Sequence, residues 1–229
     1  MSLASLCRPV KYHTMSIKSG LRRTKLELSP SERFATLIRK SPDIIGYIKN
    51  LQILTAGDEE PFYYGDSNSL QVQEALCYTL TRQYPKLKRL DLDLRKLWTT
   101  LPVKVQLALQ AIFSTPTLRE VAFLEYFPMP MNILCFFKNI SAVEIHLSQT
   151  AATSEGFPNG GQSDCTPERL LFKDKSNDGS GTRMLFNRQA SLKFTSLKRL
   201  QAYTKSTQVG LLKIPLNQCS STLTNLEIY

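Results

Sequence analysis

The apolar and polar positions along this chain repeat one phrase: an apolar residue, two spacers, a second apolar residue, one spacer, a third. It reads Ile48-x-x-Leu51-x-Ile53, Leu87-x-x-Leu90-x-Leu92, Leu118-x-x-Val121-x-Phe123, Ile140-x-x-Val143-x-Ile145, Leu197-x-x-Leu200-x-Ala202 and Leu223-x-x-Leu226-x-Ile228. A degenerate copy, Pro167-x-x-Leu170-x-Phe172, lies between the fourth and fifth. Each phrase predicts a short strand whose last two apolar residues share one face, because side chains alternate along an extended chain. Strands are expected over 47–54 and 86–94, with two further short ones over 12–19 and 22–28.

Between the phrases the apolar spacing changes to that of a helix. Ser29-Pro30-Ser31-Glu32 reads as a helix start, with Ser29 as N-cap, Pro30 at the first helical position and Glu32 reaching back to the Ser29 amide. Phe34, Leu37 and Ile38 follow on one face, and Ser41-Pro42 ends the run. Val72, Ala75, Leu76, Thr79 and Leu80 form a second helical face; Val105, Ala108, Leu109, Ile112 and Phe113 form a third, beginning at Leu101-Pro102. A shorter helical stretch is expected over 131–137. Strands joined through helices require a parallel sheet. The phrases begin 22 to 39 residues apart, the spacing of a leucine-rich-repeat solenoid.

The expected fold is therefore α/β: an irregular leucine-rich-repeat-like solenoid, with about seven parallel strands on the concave face and helices on the convex face. Residues 1–28 read as an N-terminal segment and 29–229 as one solenoid domain, with loops near 55–69, 148–166 and 174–182. The last phrase reaches Tyr229 with no polar cap after it. That predicts an exposed C-terminal edge or a chain shorter than its parent protein.

Alternation points the residue between the last two apolar positions outward, and the residue two further on as well. The first outward column is Gln52, Asp91, Ala122, Glu144, Leu171, Gln201 and Glu227; the second is Leu54, Asp93, Leu124, His146, Lys173, Tyr203 and Tyr229. Of these, Gln52, Asp91, Asp93, Leu124, Glu144, His146, Lys173, Gln201 and Tyr203 are the candidate partner-binding residues. Their mixed acidic, apolar and aromatic character suits protein recognition. Asp91, Asp93 and Glu144 are expected to be solvated and to favour a basic partner.

Composition narrows the chemistry. The chain has 229 residues and a net charge of +10; residues 1–50 hold ten Lys/Arg against three Asp/Glu. The basic residues are not interleaved with stacking aromatics and no nucleic-acid motif is present, which disfavours nucleic acid as a partner. Five scattered cysteines and two histidines offer neither a zinc pattern nor a disulfide framework. Thiols of this kind suit the cytoplasm or nucleus. No apolar run is long enough to span a membrane. There is no nucleophile elbow or phosphate loop, and Gly179-x-Gly181 is expected in a polar loop rather than between strand and helix. No catalytic residue, metal or cofactor is expected. Trp98 is expected to pack over the helix start at Leu101-Pro102.

The order of landmarks adds a family. Phe34-x-x-Leu37-x-x-x-Ser41-Pro42-x-Ile44-x-x-Tyr47-Ile48-x-x-Leu51-x-Ile53 resembles the segment that follows the F-box in fungal F-box-like proteins. So do Tyr84-Pro85-x-Leu87-x-x-Leu90-x-Leu92, Trp98 with Leu101-Pro102, Phe113-x-x-Pro116-Thr117-Leu118 and Phe127-Pro128. Cys7-Arg8 and Tyr12-x-x-Met15-x-Ile17 resemble the stretch between the F-box and its first strand. The resemblance covers most of residues 7–145. It implies the target-holding part of a cullin–RING ubiquitin ligase, non-catalytic, with a protein target of unstated identity. An F-box needs roughly 40 residues, and six precede Cys7. Docking to the ligase adaptor is therefore expected only if an F-box is supplied upstream. The alternative is a stand-alone protein-interaction repeat or a truncated fragment without ligase function.

Overall fold

A computed structural model describes residues 13–19, 28–55, 67–93, 101–124, 131–147, 165–174, 179–185 and 192–229. The fold is α/β, with eight strands, each parallel to its hydrogen-bonded neighbours in its unit, and helices between them. The chain packs as two compact units: residues 1–93 with 100–118, and residues 94–99 with 119–229.

The first unit runs β1 (Thr14–Ser19), α1 (Pro30–Lys40), a 3-10 turn (Pro42–Tyr47), β2 (Asn50–Thr55), α2 (Ser67–Leu80), β3 (Arg89–Asp93) and α3 (Val103–Phe113). Strands β1, β2 and β3 pair in that order and stack Met15 on Leu51 on Leu90, then Ile17 on Ile53 on Leu92. Ile17 and the β2 and β3 members of these rows are buried. The stretch expected as a strand over 12–19 is thus a full member of the sheet, an eighth strand beyond the seven phrases. The other early strand, 22–28, falls almost wholly outside the described residues.

Local chemistry explains the helices. Glu32 N–H donates to Ser29 Oγ at 3.3 Å, and Ser29 N–H donates to Glu32 Oε2 at 2.8 Å, a complete capping box with Pro30 opening the helix. The inner faces match the spacing: Phe34 and Ile38 of α1, Val72, Ala75, Leu76, Thr79 and Leu80 of α2, and all five expected residues of α3 are buried. Buried Thr79 donates to the Ala75 carbonyl at 2.9 Å, so its hydroxyl is satisfied within the helix. Buried Tyr84 donates to the Thr79 carbonyl at 2.9 Å. Burial pushes the Tyr84 phenol well above its ordinary pKa. Helix α1 packs on α2, and α2 on α3.

The second unit runs β4 (Glu120–Phe123), a 3-10 turn (Met131–Phe136), β5 (Ala142–Leu147), β6 (Arg169–Asp174), α4 (Ser180–Leu185), β7 (Arg199–Tyr203), a second 3-10 turn (Ser206–Leu212), α5 (Lys213–Cys219) and β8 (Asn225–Ile228). Its strands pair in chain order and in phase: Val121, Val143, Leu170, Leu200 and Leu226 form one row, and Phe123, Ile145, Phe172, Ala202 and Ile228 the next. The helical stretch expected at 131–137 is a 3-10 turn. Gly179-x-Gly181, expected in a loop, lies at the start of a helix: Gly179 directly precedes α4 and Gly181 is its second residue. Gly179 sits at φ 71°, and a Cβ there would come within 3.0 Å of the Gln208 side chain. Only glycine suits that position. The start of α4 is occupied by Asp174, which accepts the Thr182 amide at 2.8 Å and the Thr182 hydroxyl.

One device recurs where the strands begin. The carbonyl of His13 accepts two consecutive amides, those of Lys49 and Asn50, both at 3.0 Å. The Lys49 carbonyl does the same for Lys88 and Arg89 in the first unit. In the second unit, Arg119, Ser141, Glu168 and Lys198 each accept a pair from the next repeat. The first apolar residue of each phrase sits just before this clamp, in a tight turn. Leu87 N–H donates to the Tyr84 carbonyl at 3.3 Å, and Leu197 N–H to the Phe194 carbonyl at 3.0 Å. Strands β2 and β3 therefore start two or three residues later than the phrases suggest.

Candidate functional site

The outward face of the strands carries the candidate residues, and each unit presents its own part of it. In the first unit the outward side chains are those of Thr14, Ser16, Asn50, Gln52, Leu54, Arg89, Asp91 and Asp93, by alternation from the buried rows. Asp91 is not the solvated carboxylate expected of it. It is 4% exposed; Arg89 Nε donates to its Oδ1 at 2.7 Å and Gln52 Nε2 to its Oδ2 at 3.0 Å. Gln52 reaches Asp91 from the neighbouring parallel strand, about 4.8 Å away, and Arg89 from two residues before it on the same strand, so the two long side chains close over it. Asn50 Nδ2 donates to Thr14 Oγ1 at 3.1 Å, tying β2 to β1 in the same way. Asp93 and Leu54 stand side by side and are half-buried.

In the second unit, His146 Nε2 lies 3.0 Å from Glu144 Oε1. These residues are two apart on one strand, and so project from the same face. Ala122 is buried, and Leu124, just after β4, is half-buried. Across β6, β7 and β8 the outer column becomes a stack. Lys173 Nζ sits 5.1 Å from the centroid of the Tyr203 ring, and the Tyr203 and Tyr229 rings lie 4.5 Å apart and 11° from parallel. Glu227 holds the far end of the stack. It accepts from the Tyr229 hydroxyl at 3.0 Å, from Gln201 Nε2, and from Arg199 Nη2 at 3.0 Å. Those hydrogen bonds, Gln201's first, hold the Glu227 carboxyl below its ordinary range; the same carboxylate raises the Tyr229 phenol. Backbone bonds secure the geometry: Tyr229 N–H donates to the Ala202 carbonyl at 2.8 Å and Thr204 N–H to the Tyr229 carbonyl at 3.0 Å.

The structure thus brings Gln52 to Asp91, Glu144 to His146, Lys173 to Tyr203, and Gln201 to Glu227. Leu124 joins none of these polar groups. A third outward column was missed: Asn50, Arg89, Glu120, Ala142, Arg169, Arg199 and Asn225, each directly before the first strand leucine or valine. It supplies the arginines that neutralise the face. Arg169 Nη2 reaches Glu120 Oε1 at 2.8 Å over Ala142, whose methyl leaves the path open. The signal was available, since the alternation that placed the other two columns places this one.

Beside the starts of β5 and β6 opens a cavity of about 370 Å³, with Arg119, Lys138, Ser141 and Glu168 among its lining residues. Glu168 is paired with Lys198 at 3.1 Å. Cys77 and Cys219 are free thiols whose pKa burial raises above the ordinary value. Among the described residues no three His, Cys, Asp or Glu side chains are placed to hold a metal ion, and no helix is long and apolar enough to cross a membrane. Trp98 lies outside the described residues.

Compared with known proteins, the chain matches no family model, no curated protein and no solved structure.

Proposed function

We propose that this chain is a protein-binding repeat module without chemistry of its own, built as a leucine-rich-repeat-like solenoid whose outward strand face holds a protein target. By its resemblance to fungal F-box-like proteins, that target is one presented for ubiquitin transfer by a cullin–RING ligase. The observation that carries the binding role is the Lys173–Tyr203–Tyr229 stack. Stacked aromatic groups, the Tyr229 hydroxyl already bonded to Glu227, lose little freedom when a partner arrives, which is the character of binding hot spots. Two of the three acidic residues expected to attract a basic partner are instead paired within the chain, Asp91 with Arg89 and Glu144 with His146. The partner is therefore one that uses aromatic and aliphatic contact rather than one chosen by positive charge.

The test is affinity purification of this chain from fungal cells, with mass spectrometry of the proteins retained, alongside Tyr203→Ala. Recovery of the cullin adaptor together with a protein lost in the variant supports the ligase-receptor reading. A protein lost in the variant, without the adaptor, supports a stand-alone interaction repeat. Identical recoveries from both chains would remove the face from the account.

A further inference from the structure

Arginines on the outward strand face are paired with carboxylates; in the first unit the helix layer organises further positive charge. Tyr78, near the end of α2, is flanked by two guanidiniums: Arg39 Cζ lies 4.5 Å and Arg82 Cζ 4.1 Å from the ring centroid. Arg39 comes from the last turn of α1 and Arg82 follows α2, so chain positions far apart meet at one ring. Arg82 Nε also donates to the Tyr78 carbonyl at 3.1 Å. Lys86 Nζ lies 5.9 Å from the centroid of Tyr47. Arg39, Lys40, Arg82 and Lys86 are all exposed, and none bonds a carboxylate among the described residues. Glu74, one turn before Tyr78, pairs with neither guanidinium. The absence of interleaved aromatics, which disfavoured nucleic acid from sequence, is therefore a property of the linear order and not of the folded surface.

We propose that this end of the helix layer binds the phosphate backbone of single-stranded nucleic acid through Arg39 and Arg82, with Tyr78 as their common support. An aromatic face orders a guanidinium without neutralising it. A stacked arginine keeps its terminal N–H groups in a plane suited to two phosphate oxygens. The ends of α1 and α2 favour cations through their dipoles, so the cluster forms before any ligand arrives. The exposed apolar residues Leu28 and Leu70 lie at the opposite, N-terminal ends of these helices. With no exposed large apolar side chain at this end of α1 and α2 among the described residues, the cluster suits a solvated polyanion and not a bilayer.

The experiment is fluorescence anisotropy of labelled oligouridylate against the full chain over a range of salt concentrations. Removing two phosphate contacts with Arg39→Ala/Arg82→Ala should lower the log–log salt slope by about 1.4 and weaken binding about 25-fold near 0.1 M salt. Arg39→Lys/Arg82→Lys should keep most of the slope but bind more weakly, having lost the planar fork. Both pairs are exposed, and unchanged circular dichroism checks that the variants fold. An unaltered slope in the alanine variant overturns the proposal. So does polyglutamate, or a phosphatidylserine vesicle, bound as tightly as the oligonucleotide. Tyr203 belongs to the strand face of the second unit and not to the helix layer of the first, so oligonucleotide binding should be indifferent to Tyr203→Ala.

Discussion

Leu51 and Ile53 occupy the same two places in their phrase as Leu226 and Ile228 do in theirs, and they meet opposite surroundings. The first pair is 0% exposed; the second is 45% and 41% exposed. Strand β2 is paired on both sides, by β1 and β3, whereas β8 is paired by β7 alone. Alternate backbone groups of β8 turn toward β7, as the bonds of Asn225 and Tyr229 show, which aims those of Leu226 and Ile228 the other way. Two identical phrases thus contribute unequally. In a stack of repeats a side chain is buried by its neighbour's repeat as much as by its own.

The widest separation between these regions is expected from truncating the same position in each. Leu90→Ala, inside the first unit, should cost about 2–5 kcal/mol, whereas Leu226→Ala should cost under about 1 kcal/mol because half of its surface never left water. Urea titrations of the two variants measure the gap. Equal losses would mean that β8 is covered in solution, and a concentration-dependent midpoint would identify the cover as a second copy.

A smaller effect sharpens the contrast on the outward face. Asp91→Ala leaves Arg89 and Gln52 facing a lost acceptor at a buried position and should cost about 1–3 kcal/mol. Glu227→Ala, at the exposed end, should change chemical stability little. An Asp91→Ala variant as stable as the parent would return Asp91 to solvent, with Arg89 and Gln52 not closing over it.

The smallest effect is one of pH. The Glu227 carboxyl is held below its ordinary 4.5 by hydrogen bonds from Gln201, Tyr229 and Arg199. A depressed folded-state pKa adds stability that is fully present above the unfolded value and is lost as pH falls through the folded one. Thermal unfolding followed from pH 4.5 downward should therefore decline less steeply in Glu227→Gln than in the parent. Parallel declines would show that the carboxylate is not bonded in solution.

Much of the frame was legible in the residues. Ser29, Pro30 and Glu32 carry a complete helix start within four positions, and the five-residue faces of α2 and α3 follow from spacing alone. Such features are local or periodic. What escaped depends on neighbours distant in sequence. Asp91 looked solvated because half of its cover, Gln52, comes from a full repeat earlier, and the other half, Arg89, was not read as outward-facing. The arginine column lay one residue before the phrases and drew no notice, although alternation assigns it to the same face. Strand β1 was seen but set apart, because Met15 and Ile17 have no leading apolar residue at the phrase's spacing. Helix α4 was hidden by its glycines, Gly179 directly before it and Gly181 within it; the need for glycine at 179 shows only in its positive φ and the nearness of Gln208. For the candidate site, the strand columns were readable, while the pairing of their charges was not.

The paired-amide clamp at the starts of β2, β3, β5, β6, β7 and β8 has a consequence for how such a surface can change. Each clamp fixes the phase of its strand against the one before, whatever length of chain lies between. The phrases begin anywhere from 22 to 39 residues apart, yet the buried rows stay aligned within each unit. Lengthening a connection costs little in closure entropy, about 0.6 kcal/mol per doubling. The outward residues therefore behave like type in a locked frame: the letters can be exchanged and the spacing behind them altered, and each letter still prints in its assigned place.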